Sequence, residues 1–442
     1  MKMRETVIQF GEGVFLRGFV EHFLDSMNKQ GIYDGKAVVI QPRPGGKVKP
    51  LQEQGCRYNL FLRGIRDGKA AEEHIFVESI SRCVNPYEQY EDFAALAENP
   101  DFRFVVSNTT EAGIAFDASC KAEDKPCLSF PGKVAQLLYR RYQLGMEGFV
   151  FLPCELIDNN GDALKACVLQ YARLWNLEPA FMTWVEEKNV FANTLVDRIV
   201  TGYPEAEKEA LLNTAGFDDK CMNTAELFGL WVIEGNFEEE LPLQKAGLPV
   251  VWTDDVAPYK KRKVRVLNGA HTSTVFPALL CGVETVGDAM NDPLMRDFLE
   301  KNLYGYILPM LGETGENQDF AGAVLDRFAN PYIRHMWKAI SLNSVSKFTV
   351  RVLPTMADWR EQHGEWPKSL VFSLACLLKY YREQEVSDSP EAAAYILEHD
   401  VPQILANSAL WGMDLSECAA MVEECLSRLS VDAREAVKWA IS

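Results

Sequence analysis

A lysine, an asparagine and a histidine lie close together in the segment YKKRKVRVLNGAH, residues 259–271. Relative to Lys263, an α-helix that turns about 100° per residue places Lys260 at about 60° and His271 at about 80°. Asn268 falls at about 140°, in the same half of the helix. A lysine amine acts as a general acid–base where burial and a neighbouring cation favour its neutral form, while amide and imidazole groups hold a carbonyl. The spacing predicts carbonyl–alcohol chemistry, but it fits a solvated basic helix with one inward histidine equally well.

A glycine pair follows the first predicted strand. The apolar run Thr6–Phe10 predicts a strand and Phe15–Lys29 predicts a helix. Gly11 and Gly13 lie between them, where they allow a tight turn and let backbone N–H groups approach a pyrophosphate. Leu16 replaces the third glycine of the G-x-G-x-x-G fingerprint, so an ordinary turn remains an alternative. The expected dinucleotide-binding residues are Phe10, Gly11, Glu12, Gly13, Phe15, Arg17, Gln41, Arg43, Asn108, Thr109, Thr110 and Glu111.

The second predicted strand, Lys36–Gln41, is not followed by an acidic residue. An acid at this place binds the ribose 2′-hydroxyl of NAD and repels the 2′-phosphate of NADP. Arg43 and Lys47 follow instead, either as ligands for a phosphate or as solvated loop charges. We expect NAD as the cofactor, with NADP left open.

The chain changes character near Pro258. Before it, short apolar runs such as Phe102–Ser107 and Gly148–Pro153 alternate with amphipathic stretches, which is typical of βαβ units. After it, long helical patterns dominate. We predict an α/β protein with an N-terminal Rossmann-type doubly wound sheet over residues 1–255 and a mostly α-helical C-terminal domain over residues 256–442. Predicted helices of the second domain are Tyr259–Leu280, Phe320–Leu342, Ser369–Glu383 and Ser416–Ser442.

Charge and cysteine usage narrow the function classes. The formal net charge of −18 disfavours nucleic acid or anionic lipid as a partner, and an anion site would have to be built locally from basic residues. The 11 cysteines show neither a disulfide framework nor metal-ligand spacing, and the first residues lack a signal peptide. The apolar run Leu370–Leu378 is too short to cross a bilayer. We expect a cytoplasmic, metal-independent protein, either a monomer or a small homo-oligomer.

Several motifs together resemble the long-chain polyol dehydrogenases, the mannitol dehydrogenase family. The run Lys263–His271 is similar to the family's K-x-x-x-x-N-x-x-H signature, and Gly11–Arg17 to its glycine loop. Asn193–Ile199 resembles the N-T-x-V-D-R-I block, and Cys154–Gly161 the turn that ends in Asn-Gly. Arg327–Lys347 is similar to the R-F-x-N-P region. The resemblance spans nearly the whole chain.

The resemblance implies a reaction and a set of roles. Within the family, the runs Ile8–Arg17, Ser107–Ile114, Pro153–Leu164, Thr194–Pro204 and Pro258–His271 resemble the branch that acts on hexuronates. This resemblance implies NADH-dependent, reversible reduction of D-tagaturonate to D-altronate in hexuronate catabolism, without zinc. By the family pattern Lys263 is the general acid–base, while Asn193 and Asn268 polarise the carbonyl. His271 positions the substrate, and Lys347 contacts it.

Two departures from the mannitol type bear on substrate choice. Glu155 replaces the aspartate after the turn cysteine, and Lys260 replaces an acidic residue three positions before the catalytic lysine. We expect Lys260, Lys347, Arg334 and Glu155 to contact a sugar acid. Lys260 either pairs with its carboxylate, helps to lower the pKa of Lys263, or points to water. His335 and Arg351 are further sources of positive charge. Alternatives are fructuronate/mannonate or fructose/mannitol oxidoreduction, a hydroxyacid or phosphogluconate-type dehydrogenase, and a non-catalytic nucleotide-binding regulator.

Overall fold

The computed structural model describes residues 3–442, which divide into two compact units. The N-terminal unit comprises the described residues up to Arg63 together with Ala71–Ala257. The helical unit comprises Gly64–Ala70 and Pro258–Ser442. The expected domain boundary, between residues 255 and 256, lies two residues before Pro258, but the sequence did not indicate that residues 64–70 would group with the second unit.

Within the described residues, all strands lie before residue 254. In chain order they are β1 (Arg4–Phe10), β2 (Gly35–Ile40), β3 (Tyr58–Arg66), β4 (Lys69–Val77), β5 (Ile80–Val84), β6 (Phe104–Ser107), β7 (Val150–Pro153), β8 (Val190–Phe191), β9 (Thr194–Asp197), β10 (Val200–Gly202), β11 (Asn223–Glu226), β12 (Leu230–Glu234) and β13 (Val250–Thr253). Three sheets result, with orders β5-β2-β1-β6-β7-β8, β10-β11-β3-β4 and β13-β12-β9.

The six-stranded sheet is parallel throughout and forms the Rossmann-type core that the sequence predicted. Both faces are covered, since Ile8 and Phe10 of β1 belong to one apolar cluster and Val7 to another. Phe10 pairs with Ile40 of β2 and with Ser107 of β6, so these strands end at one edge. Because the chain leaves β1 in opposite directions toward β2 and β6, this edge is the crevice where ligands of such sheets bind.

Eight helices accompany these strands in the described chain, and the first departs from the prediction. They are α1 (Val14–Arg17), α2 (Val20–Lys29), α3 (Val48–Glu53), α4 (Tyr90–Ala94), α5 (Phe130–Gln143), α6 (Asn160–Leu174), α7 (Pro179–Lys188) and α8 (Lys208–Ala215). The predicted single helix over 15–29 is wrong, because it is interrupted at Gly18 and Phe19. A Cβ at Gly18 would lie 3.1 Å from the side chains of Asn223 and Val200. The break therefore brings the chain close to β10 and β11.

The helical unit supplies the remaining helices. They are α9 (Ala257–Lys263), α10 (Gly269–Leu280), α11 (Val286–Asn291), α12 (Pro293–Asn302), α13 (Leu308–Leu311), α14 (Gly315–Phe328), α15 (Trp337–Ile340), α16 (Ser344–Arg351), α17 (Leu353–His363), α18 (Lys368–Glu383), α19 (Pro390–Glu398), α20 (Val401–Ala406), α21 (Ser408–Trp411), α22 (Ala419–Leu429) and α23 (Ala433–Ile441). The apolar run 370–378 forms the buried centre of α18, which packs against α10 and α22. No helix within residues 3–442 has the length and apolar character that a membrane span requires.

Two of the four predicted long helices are shorter than expected. The predicted helix over 320–342 ends at Phe328, because Pro331 lacks the amide hydrogen that a helix needs and disfavours helical geometry at Asn330. The predicted helix over 416–442 is interrupted before Asp432, whose side chain accepts the Glu435 N–H and begins α23. The predicted helix over 369–383 is confirmed as α18.

A buried histidine makes the stability of the N-terminal unit depend on pH. Burial, with smaller contributions from Arg198 and Lys29, lowers the pKa of His22 on α2 from 6.5 to about 3. The unfolded chain thus takes up a proton near pH 6.5 that the folded chain refuses until about pH 3. The contribution of His22 to stability is complete above pH 6.5 and is lost as the pH falls toward 3.

We predict that His22→Gln flattens the acid side of the stability profile. Urea midpoints measured from pH 7 to pH 4 should fall less steeply in the variant, by up to about 1.4 kcal/mol per pH unit. His363→Gln, at an exposed histidine on α17, is the matched control. Parallel profiles for His22→Gln and the unchanged chain would contradict the prediction.

Candidate functional site

A cavity of about 440 Å³ opens where β1, β2 and β6 end. Eight of the predicted nucleotide-binding residues line it, namely Gly11, Glu12, Gly13, Phe15, Arg43, Asn108, Thr109 and Thr110. Further lining residues that the sequence did not single out are Val14, Pro42, Ala112, Gly113, Ala115, Asp117, Leu128, Ser129 and Phe130. The Leu128–Phe130 segment precedes and begins α5, and no local signal in the sequence marked it.

The two glycines of the loop have different physical roles. Gly11 has φ of 120°, and a Cβ there would lie 2.9 Å from the backbone oxygen of Asn108. It is required for the close approach of the β1 and β6 ends. Gly13 caps α1 in ordinary extended geometry, and a Cβ there would meet no atom within 4 Å. The space beside Gly13 is therefore open on the cavity side, which would allow a pyrophosphate to approach the backbone.

The loop after β6 is held in place by a buried carboxylate. Glu155 is 2% exposed and accepts hydrogen bonds from the Thr109 N–H and hydroxyl, both at 2.9 Å, and from the Ser107 hydroxyl. Burial raises the pKa of Glu155. Thr110, next in the loop, has φ of 86°, a conformation that a β-branched residue resists. Strain of this kind in a cavity wall is typical of a ligand-binding loop.

Four predicted nucleotide-binding residues do not line the cavity. Phe10 is buried against Phe93 and Phe130, and Arg17 donates to the Cys221 carbonyl and lies over the Tyr58 ring. Gln41 is buried and donates to the Arg43 carbonyl, whereas Glu111 is exposed. Glu155 likewise has its described contacts in the loop after β6. None of these five residues is part of the cavity lining, and their predicted ligand contacts stay predictions.

Asn193 is fully engaged within the N-terminal unit. Its amide nitrogen donates to Asp162 at 3.0 Å and to Glu234 at 2.9 Å, and its oxygen accepts the Asp162 N–H. The Asn-Gly turn connects two strands, because the Asn160 side chain hydrogen-bonds to Pro153 at the end of β7 and to Thr194 at the start of β9. A Cβ at Gly161 would lie 2.5 Å from the Ala192 oxygen. The described contacts thus give Asn193 a positioning role, and its role in polarising a carbonyl stays a prediction.

The segment around Lys263 contains a π-helical turn, Val264–Asn268, between α9 and α10. The Gly269 N–H bonds the Val264 carbonyl, five residues back rather than four. This extra residue in one turn rotates Asn268 and His271 toward the side of Lys263, relative to the ordinary helix assumed from the sequence. Lys263 and Asn268 are half-buried and His271 is 8% exposed. The π-helical turn therefore places these residues nearer one side than an unbroken α-helix would, and their catalytic roles stay predictions.

Neighbouring helices hold this turn in place. Arg265 donates to the Thr355 hydroxyl at 3.0 Å and to Asp358 at 2.9 Å, both on α17. A Cβ at Gly269 would lie 3.0 Å from the Arg351 backbone oxygen, so α16 ends directly against the turn. Arg265 of the basic run therefore has a structural role.

His271 is a neutral, stacked imidazole. Its ring lies 4.0 Å from the ring of Phe328 at an interplanar angle of 10°, with His335 at 5.3 Å edge-on. Burial, followed by the charges of His335, Arg327 and Arg351, lowers the pKa of His271 well below its ordinary value. Its Nε2 is buried and has no hydrogen-bond partner in the described part of the chain. A polar atom left in this state fits a bound hydroxyl or carbonyl oxygen.

The predicted carboxylate ligands differ in their surroundings. The Arg334 side chain is 75% exposed and lies 3.8 Å from Glu284. The Lys347 Nζ donates to the Ile340 carbonyl at 2.9 Å. Arg351, one turn further along α16, is half-buried and reaches the Thr272 hydroxyl at 3.5 Å. Lys260 is half-buried.

A cluster of cysteines and an aspartate was not expected from the sequence. Within the described residues, Cys120, Asp124 and Cys127 have ligand atoms that all lie within 4.8 Å of one another. The cluster precedes α5, and Lys133 of α5 donates to the Leu128 carbonyl beside it. Burial lowers the pKa of Lys133 to about 8. None of these residues belongs to the predicted catalytic set.

Family models match both parts of the chain. One described as the mannitol dehydrogenase Rossmann domain matches residues 5–245, and one described as the mannitol dehydrogenase C-terminal domain matches residues 255–431. The chain belongs to the mannitol dehydrogenase family, as its motifs predicted. It is a dehydrogenase that acts on CH–OH groups, with a Rossmann domain for a NAD-type nucleotide.

Sequence relatives include several altronate oxidoreductases. The protein from Bacillus subtilis is 42% identical over 95% of this chain and 91% of its own length. The proteins from Pectobacterium atrosepticum and Halalkalibacterium halodurans are 43% and 40% identical, over 98% and 100% of this chain and 90% and 93% of their own.

Solved structures show the same fold at lower identity. D-sorbitol dehydrogenase in substrate-free form has a TM-score of 0.87 at 23% identity, covering 100% of this chain and 96% of that one. Mannitol 2-dehydrogenase of Pseudomonas fluorescens, in a ternary complex with NAD and D-mannitol, has a TM-score of 0.72 at 22% identity, covering 99% and 94%.

We predict that alanine at the two glycines has separable effects. Gly11→Ala should lower the melting temperature, because its Cβ would contact the Asn108 oxygen in a left-handed conformation. Gly13→Ala should leave the melting temperature nearly unchanged but raise the Kd for NADH about tenfold or more, because the methyl group keeps a pyrophosphate from the backbone. Thermal melts and NADH fluorescence titration measure both. Unchanged NADH affinity in Gly13→Ala would show that the loop does not approach the nucleotide.

Proposed function

We propose that the chain interconverts D-tagaturonate and D-altronate with NADH and NAD⁺ as the coenzyme pair. Similarity to altronate oxidoreductases over nearly the whole chain supports the substrate. The observations that support the catalytic part are the π-helical turn between Lys263 and His271 and the buried His271 Nε2, which has no hydrogen-bond partner in the described residues. Nothing in the described geometry favours fructuronate or fructose over this substrate.

The N-terminal unit would hold the nucleotide, which supplies the hydride. Gly11, Gly13 and the strained loop at Thr110 shape the cavity for its pyrophosphate and neighbouring groups. Glu12 supports NAD over NADP, since its carboxylate accepts the Lys47 N–H at 2.8 Å in the loop after β2. The Glu12 carboxylate, from the loop after β1, would take the place of the acid that the end of β2 lacks and would oppose a 2′-phosphate.

The helical unit would hold and protonate the ketone. In the reductive direction the Lys263 ammonium donates a proton to the developing alkoxide, and in the oxidative direction the amine removes it. The Asn268 amide donates a hydrogen bond to the same oxygen and stabilises its negative charge. Neutral His271 binds a neighbouring hydroxyl through Nε2, which fixes the orientation of the substrate. Asn193 keeps β9 and α6 in place through Asp162 and Glu234.

Removal of the Lys263 amine is the direct test. We expect Lys263→Ala to lower kcat for D-tagaturonate reduction by about a hundredfold or more, since positioned acid–base groups contribute 10²–10⁴-fold. NADH oxidation should be followed with D-tagaturonate, D-fructuronate and D-fructose side by side. Lys261→Ala, at the exposed lysine two residues earlier, is the matched control and should retain full activity.

Two results would overturn the proposal. Undiminished turnover in Lys263→Ala would exclude this lysine as the proton donor. A higher kcat/KM for D-fructuronate or D-fructose than for D-tagaturonate would assign the chain to a sister activity of the family.

A further inference from the structure

We propose that Arg351 binds the carboxylate of the sugar-acid substrate and so selects a uronate over a neutral ketose. The inference rests on the proposed function and deepens it, because it assigns the charge-recognising group that the catalytic residues do not supply. It also replaces Lys260, Lys347 and Arg334 as the first candidate for that contact.

Arg351 lies close to the segment that carries the predicted catalytic residues. Arg351 is the last residue of α16, and its backbone oxygen contacts Gly269, which follows the π-helical turn. Its side chain extends along the helix that carries the predicted catalytic groups and reaches the Thr272 hydroxyl, next to His271. A guanidinium in this place lies beside the residue predicted to orient the substrate.

The Arg351 guanidinium has no carboxylate as a counterion within the described residues. In the described part of the chain, no carboxylate lies within 4 Å of the half-buried Arg351 guanidinium, and its contact to Thr272 is long at 3.5 Å. A partly buried cation loses hydration, so it calls for an anion as a partner. Arg334, by contrast, is exposed beside Glu284, and Lys347 has a carbonyl acceptor. The guanidinium of an arginine has five N–H donors in a planar fork, and this geometry fits a carboxylate better than the ammonium of a lysine does.

Several basic groups lie near Arg351. Arg351 and Lys347 are four residues apart on one face of α16, and Arg327 and His335 act on the same imidazole as Arg351. Asp388 is the acidic group that acts on Lys347. The whole chain carries a net charge of −18, so it would repel an anionic substrate at long range. A locally positive site within an acidic protein is what an anionic substrate requires.

A comparison of a uronate with its neutral counterpart tests the inference. Steady-state kinetics should be measured with D-tagaturonate and with D-tagatose, which lacks the carboxylate, for the unchanged chain, Arg351→Gln and Arg351→Lys. We expect Arg351→Gln to raise KM for D-tagaturonate about tenfold to a hundredfold, with kcat and the turnover of D-tagatose little changed. The KM of Arg351→Lys for D-tagaturonate should lie between those of the unchanged chain and Arg351→Gln, because a lysine keeps the positive charge but lacks the planar fork of donors.

Arg360→Gln is the control, since this half-buried arginine on α17 already has Glu417 as its counterion. An unchanged KM for D-tagaturonate in Arg351→Gln would overturn the inference while leaving the proposed function intact. An equal loss with D-tagatose would also overturn it, because a structural role affects both substrates. Should Arg351→Gln fail to fold, Arg351→Lys carries the same comparison. Failure of the unchanged chain to reduce D-tagaturonate would instead refute the proposed function.

Discussion

The contact between Gly269 and the end of α16 is the constraint on which the geometry of the helical unit depends. A Cβ at position 269 would lie 3.0 Å from the Arg351 carbonyl oxygen, so any larger residue would require one of the two segments to shift. The π-helical turn ends at this contact, and Arg265 fixes its other side to Thr355 and Asp358. Residues that carry the proposed chemistry therefore lie on or beside a turn that is held from two directions. Their alignment is a property of the packing, since a π-turn is seldom stable by itself.

Electrostatic organisation follows from the same packing. Helices α10 and α16 bring His271, Arg351 and Lys347 into one neighbourhood, and burial there keeps the imidazole neutral by lowering the pKa of His271. Neutral imidazole and positive guanidinium perform different tasks, because the first binds an uncharged oxygen and the second an anion. A protein with an excess of acidic residues can thus recognise an acidic substrate, provided that its few basic groups are concentrated and partly buried.

The strand ends and the glycine loop could be predicted because the signals for them are local in the sequence. Thr6–Phe10 and the glycines after it are adjacent in sequence, so the strand, the turn and much of the cavity wall were predictable. Gly18 and Phe19 interrupt the first helix because of a close approach to Val200, which lies far away in sequence. The π-turn was not predictable either, since its residues have no propensity that distinguishes a bond five residues back from one four back. Arg351 and the carboxylates around Asn193 became informative only through tertiary contacts.

Thr110 links the shape of the nucleotide loop to a carboxylate behind it. This threonine has a left-handed conformation, and Glu155 anchors its neighbour Thr109 through two hydrogen bonds. A strained residue persists where its surroundings over-determine its conformation, so this part of the cavity wall depends on a buried side chain from another loop as well as on its own sequence.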